Sequence, residues 1–146
     1  MMLVVDTSVA VKWVVPENGD GVEADTGIAL SLLPHGLIAP DLMLVEFGNA
    51  MWKKVRKNEI LAEQAREALE ILPTLVTFFP TRAFAVRAME MSFEIDHPIY
   101  DCVFLALAEA RGLAMVTADK KLLRACGASN FSDLVVDLMK PESWDA

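Results

Sequence analysis

Five short apolar runs, at residues 3–5, 37–39, 75–79, 113–117 and 134–136, are separated by longer stretches with helical spacing. That alternation restricts the chain more than any other feature, because strands alternating with helices fold as crossover units around a parallel sheet. Runs this uniformly apolar are buried on both faces, as the strands of such a sheet must be. The expected architecture is α/β: a three-layer α/β/α sandwich with a mostly parallel central sheet of about five strands.

Helices are expected at residues 8–15, 22–33, 41–57, 59–72, 81–93, 99–111 and 119–126, with a polar loop at 17–21 and a tail over 140–146. Proline and glycine punctuate the pattern. Pro16 and Pro73 stop helices, Pro34-His35-Gly36 closes another, Asn58 caps the helix 41–57, and Gly112 ends the helix 99–111. Pro40-Asp41 places a proline and an acid at a helix start. No repeat or linker interrupts the pattern, so residues 1–146 are expected to form a single domain, long enough to bury a core without disulfides.

Composition narrows the setting. Hydrophobic residues make up 54% of the chain and mean hydropathy is +0.37, more than a small monomer needs for its core. A homodimer or another partner is expected to cover some apolar surface. Cys102 and Cys126 lack metal-ligand spacing and read as reduced core residues. Asp6 interrupts the first apolar run and no basic stretch precedes it, so an unexported, cytoplasmic protein is expected. No apolar stretch reaches the roughly 18 residues of a membrane span. The net charge of −8 argues against broad attraction to nucleic acid. Even so, Lys53, Lys54, Arg56 and Lys57 form one basic cluster and Lys120, Lys121 and Arg124 another.

The first run, Leu3-Val4-Val5, ends on Asp6-Thr7-Ser8. At the C-terminal end of a parallel strand Asp6 faces the crevice where ligands bind, although an acid there also suits a helix cap. Three further acids occupy comparable places. Glu46 lies in the helix after the second strand, Asp101 near the start of an apolar helix, and Asp119 beyond the fourth strand. Asp101 stands before Cys102-Val103-Phe104-Leu105-Ala106, where an unpaired buried charge would be costly. Asn49 and Lys53 share a helix face with Glu46, and Thr117 stands two residues before Asp119 as Ser8 stands two after Asp6. Four convergent carboxylates repel one another unless a cation joins them. Mg²⁺ or Mn²⁺ is the oxygen-preferring choice, and metal-assisted phosphodiester hydrolysis is the reaction it favours.

At these residues the sequence resembles the PIN-domain ribonucleases, specifically the VapC-type toxins of toxin–antitoxin pairs. Val4-Val5-Asp6-Thr7-Ser8-Val9 with Lys12-Trp13, Ala39-Pro40-Asp41 leading to Glu46 and Asn49-Ala50, Tyr100-Asp101-Cys102, and Val116-Thr117-Ala118-Asp119 carry the likeness along the whole chain. The acids stand 40, 55 and 18 residues apart in that order. The resemblance implies a metal-dependent endoribonuclease in which Asp6, Glu46, Asp101 and Asp119 form the acidic metal site, supported by the hydroxyls of Ser8 and Thr117. It also implies dimerisation and neutralisation by a VapB-like antitoxin, a basic partner suited to an acidic chain.

Lys53, Lys54, Arg56, Lys57 and Lys120 are candidates for guiding the RNA backbone, or they form a solvated helix face. His35 and His97 adjoin prolines and read as turn or packing residues, with substrate contact the alternative for His97; Trp13 and Trp52 read as core or interface packing rather than base-stacking platforms, and Trp144 carries no assignment. The competing reading is a catalytically inactive PIN-like module that only binds protein, against which the full acidic set speaks. A haloacid-dehalogenase-type phosphatase would need an Asp where Ser8 stands, and a receiver domain would need an acidic pair after its first strand.

Overall fold

The computed structural model describes residues 1–14 and 22–144. The expected polar loop at 17–21 lies outside the described residues. Among the described residues, five strands, β1 (Met2–Val5), β2 (Gly36–Pro40), β3 (Thr77–Phe79), β4 (Met115–Thr117) and β5 (Val135–Asp137), form one parallel sheet in the order β3-β2-β1-β4-β5. They are accompanied, among the same residues, by seven helices: α1 (Thr7–Lys12), α2 (Val22–Leu30), α3 (Leu42–Arg56), α4 (Ala62–Leu75), α5 (Ala85–Ile95), α6 (Ile99–Arg111) and α7 (Lys120–Gly127). The result is the expected three-layer α/β/α sandwich, parallel throughout rather than mostly so.

Every neighbouring pair in the sheet is parallel, with Val4 opposite Ile38 on one side and Met115 on the other. The chain builds outward from β1 to β3 and then crosses back to add β4 on the other side of β1. That reversal opens a crevice at the C-terminal ends of β1 and β4. Helix α6 packs on β1, β2 and β4 with α5 behind it, while α1, α3 and α4 pack together. Because α6 is covered on nearly every side, seven consecutive residues from Cys102 to Ala108 are buried. Its left-handed Gly112, φ 64°, then turns the chain toward β4.

Several boundaries differ from the sequence pattern for identifiable reasons. Helix α4 continues through Pro73 to Leu75. A proline in the last turn forfeits a single donor, and the Val76 amide still bonds the Leu72 carbonyl at 3.1 Å. The expected strand at 75–79 is thereby shortened to Thr77–Phe79. The expected helix at 81–93 begins as a 3₁₀ turn, Thr81–Phe84, before α5. Asp41 does not cap its own helix. Its Oδ1 accepts from the Thr81 amide at 2.9 Å and the Thr81 hydroxyl at 2.6 Å, tying the end of β2 to the turn after β3. The expected tail at 140–146 instead contains a 3₁₀ turn, Pro141–Ser143, and a buried Trp144 whose Nε1 donates to the Asp137 carbonyl at 3.1 Å. Cys102 and Cys126 are buried free thiols.

Candidate metal centre

The backbone of Asp6 is shared between the sheet and the helix that follows. Its amide donates to the Val116 carbonyl at 3.0 Å, and its carbonyl accepts from Val9 at the start of α1. The side chain makes no cap bond to α1, so it is directed to other partners. Asp6 is 3% exposed, and its Oδ2 accepts from the Ser8 hydroxyl and the Thr117 hydroxyl, each at 2.7 Å. Both hydroxyls are themselves held. The Ala118 amide donates to Ser8 Oγ at 3.1 Å and the Asp119 amide to Thr117 Oγ1 at 3.0 Å. A closed network thus fastens the end of β1 to the end of β4, with Thr117 fully buried and its hydroxyl used in both directions.

Glu46 projects from the second turn of α3 and is half-buried. The Thr7 hydroxyl, for which the sequence suggested no role, donates to Glu46 Oε1 at 2.9 Å. Asn49, one turn on, is exposed and makes no hydrogen bond among the described residues. Asp101 lies in the first turn of α6, where the helix dipole favours an anion. Its Oδ2 lies 2.6 Å from His97 Nε2. His97 is therefore part of the site rather than a packing residue. It arrives there because Asp96, left-handed at φ 51°, ends α5 and reverses the chain just before Pro98 and α6.

Asp119 answers the question first raised for Asp6. It does cap its helix, its Oδ1 accepting from Lys121 and Leu122 amides at 2.9 and 3.4 Å. Even so, single ligand atoms of His97, Asp101 and Asp119 all lie within 4.8 Å of one another. Asp6 and Glu46 flank this trio and feel its charge. Burial, then Asp101 and Asp119, push the Asp6 carboxyl up to about 6, against the lowering effect of its two hydroxyl bonds. Burial, then Asp6 and Asp101, push Glu46 up to about 7.

The four acids named from sequence thus sit around one crevice, with a histidine that the sequence reading had left out. Such a set of carboxylate oxygens and an imidazole suits a divalent cation. Burial first, and the neighbouring acids second, disfavour the charged forms of Asp6 and Glu46 in the absence of a countercharge. A cation among these oxygens reverses that repulsion, so the residues present fit a metal.

The basic candidates lie beside the crevice. Lys53 and Lys57 are exposed near the end of α3; Lys54, partly covered, pairs with Glu59 at 3.3 Å. A pocket of about 320 Å³ runs from Ser8 and Ala118 past Lys12 to Lys53, Lys54 and Lys57. Lys120 is exposed next to Asp119. Trp13 packs as expected, its Nε1 donating to the Ala29 carbonyl at 2.7 Å. Trp52 is not in the core: it is 53% exposed, with the Arg56 guanidinium 5.0 Å from its ring.

Comparison with known proteins agrees with this architecture. The family model for the PIN domain matches residues 3–128, a span that contains all four acids. Ribonuclease VapC1 of Mycobacterium tuberculosis is 36% identical over 92 residues, 61% of this chain and 67% of that protein. Ribonuclease VapC3 of Pyrobaculum aerophilum is 28% identical over 125 residues, 84% of this chain and 92% of that one. Among solved structures, a Pyrobaculum aerophilum protein superposes with a TM-score of 0.65 at 20% identity, covering 98% of this chain and 99% of the other. VapBC2 of Rickettsia felis, bound to a DNA fragment from its promoter, gives a TM-score of 0.59 at 14% identity, covering 94% and 98%. With its parallel sheet, its acids at the crevice and these relatives, the chain belongs to the PIN-domain family, as a VapC-type member.

Proposed function

We propose that the chain acts as one PIN domain, an endoribonuclease toxin that hydrolyses RNA phosphodiester bonds with Mg²⁺ or Mn²⁺ and is neutralised by a VapB-like antitoxin. The observation that carries this reading is the convergence of Asp6, Glu46, Asp101 and Asp119 on one crevice, with Asp6 pre-oriented by two hydroxyls. Asp101 and Asp6 are the principal candidates to hold the ion, with Glu46 and Asp119 completing its surroundings. When bound there, a divalent cation lowers the pKa of an attacking water and offsets charge developing on the phosphate.

The chain's own groups have separate tasks. Ser8 and Thr117 fix the Asp6 carboxylate, so little reorganisation is needed when substrate arrives. Thr7 holds Glu46 in place, its hydroxyl donating to Oε1. His97 orients Asp101, as a histidine–carboxylate pair does around a metal. Lys53, Lys54, Arg56, Lys57 and Lys120 lie outside the acidic group and bind the RNA phosphates.

Partners follow from the surface. The name of the Rickettsia felis relative describes a VapBC assembly. An apolar groove of about 320 Å³ lined by Trp13, Leu30, Leu33, Phe47 and Ile71 offers room for an antitoxin segment. Val86, Met89 and Phe93 are exposed along α5, Phe93 at 80%, and favour a homodimer. Among the described residues no helix is long and apolar enough to cross a membrane, and an RNA substrate implies action in the cytoplasm.

The direct test is Asp101→Asn. The variant keeps its circular dichroism and loses Mn²⁺- or Mg²⁺-supported RNA cleavage by about a thousandfold or more, because metal assistance is worth several kcal/mol. Undiminished cleavage, or native cleavage that survives chelation, overturns the assignment.

A further inference from the structure

The basic pocket beside the acids does not end at its lysines. A second pocket, about 290 Å³, is formed by Trp52, Lys53, Arg56 and Lys57, so the two adjoin along the Lys53 and Lys57 side chains. The combined groove begins at Ser8, whose hydroxyl bonds Asp6, and ends at an indole ring.

That indole is unusual in its surroundings. Trp52 keeps 53% of its surface in solvent, and its ring is paired with the Arg56 guanidinium one helical turn away at 5.0 Å. On one side stand Lys53, Arg56 and Lys57, within a chain whose net charge is −8; on the other the ring borders an apolar pocket with Met51, Val55 and Leu69. Protein-interface centres take Trp and Arg but are depleted in Lys, and an exposed ring beside two lysines and an arginine is the pattern of a single-stranded nucleic-acid groove. Guanidinium planes and aromatic faces both accept a stacked base.

Spacing agrees with this. At 1.5 Å per residue, Trp52 lies about 9 Å along α3 from Glu46, with Lys53 at about 10 Å and Lys57 at about 16 Å. At a stacked rise of about 3.4 Å per nucleotide, the distance to Trp52 spans roughly three nucleotides.

We propose that Trp52 is a base-stacking platform at the end of this basic groove, so that the protein engages single-stranded RNA with one unpaired base on the indole a few nucleotides from the cut. The inference rests on the ribonuclease reading and adds a residue that selects single-stranded over duplex substrate. A base inside a duplex has both faces occupied and cannot reach the ring.

The full chain carrying Asp101→Asn, which binds without cutting, is titrated with a mixed-sequence RNA of about 12 nucleotides, single-stranded or annealed to its complement. Single-stranded RNA quenches tryptophan emission saturably and the duplex does not. Adding Trp52→Phe abolishes the quench but keeps affinity within about threefold, because phenylalanine still stacks, whereas Trp52→Ala weakens binding about tenfold or more. Equal affinity of the Trp52→Ala protein overturns the proposal, as does equal quenching by duplex. Sedimentation showing that Trp52→Ala dissolves a dimer while RNA affinity is unchanged also overturns it and assigns the ring to a protein interface. Native protein that neither binds nor cuts RNA with Mn²⁺ brings down the ribonuclease reading and this one together; native cleavage with an indifferent Trp52→Ala brings down this one alone.

Discussion

Helix α3 joins two regions of opposite character. Near its start, Glu46 faces a crevice in which Asp6 is 3% exposed and the two hydroxyls that bond it, Ser8 and Thr117, are each fixed by a further backbone donor. Near its end, Lys53 and Lys57 extend into solvent, with Trp52 beside them. The acidic region is rigid because burial makes every unmet hydrogen bond expensive. The basic region has no such constraint, since long cationic side chains in water give up little by moving. Chemistry that needs fixed charge is built on strand ends and buried hydroxyls, whereas substrate grip, which must accommodate a flexible strand, is left on an exposed helix.

Beyond the acids themselves, the largest expected effect breaks the rigid side. Thr117→Val keeps shape and removes a hydroxyl that donates to Asp6 and accepts from the Asp119 amide. Leaving buried polar groups unmet costs about 2 kcal/mol, or roughly 5–8 °C in Tm for a domain of this length, and cleavage falls about tenfold or more while RNA affinity holds. A variant with native Tm and native rate would show that the network is not what orders the acids.

A pH titration of the metal-free protein sharpens the same contrast. Asp6 is raised from 3.8 to about 6 and Glu46 from 4.5 to about 7. Between those values the folded chain retains protons that the unfolded chain has released. The contribution of these two acids to stability is therefore fully present below pH 4, falls as pH rises to about 7 and then levels, a loss on the order of a few kcal/mol. With chelator, Tm should decline from pH 5 to pH 8; with saturating Mn²⁺, which binds the charged form, the decline should shrink or reverse. A metal-independent Tm profile would argue that the acids do not share an ion.

The sequence made the rigid side legible and the soft side hard to read. Parallel strands advertise themselves as buried apolar runs, and a charge ending such a run, as Asp6 does, has few places to go but the crevice. What escaped depends on local geometry that spacing does not encode. His97 reaches Asp101 only because Asp96 adopts φ 51° before Pro98, and the proline made the pair look like punctuation. Asp6 and Asp119 look alike in sequence, yet one forgoes capping and the other caps α7, a difference set by which backbone donors point inward. Trp52 read as core or interface packing, and the structure excludes the core; hydrophobicity alone does not reveal which large ring a helix leaves outside. Trp144 errs in the other direction, buried within an apparently polar tail because its Nε1 finds the Asp137 carbonyl.

The smallest effect belongs to the exposed cations. Replacing Lys53 and Lys57 together by Gln leaves the acidic network untouched and removes two charges from the groove. Every phosphate of a single strand that the protein no longer neutralises lowers the slope of log affinity against log salt by about 0.7, so the double variant should show a slope shallower by roughly 1.4. KM for RNA should rise severalfold at low salt and the difference should fade as salt is added, with kcat changing less than KM. If kcat falls instead and KM stays, these lysines act on the acids rather than on the RNA backbone, and the division of labour along α3 is wrong. If neither moves, the lysines are solvated surface, and the RNA path must leave the crevice by another edge, with Lys120 beside Asp119 the nearest cation from which to trace it.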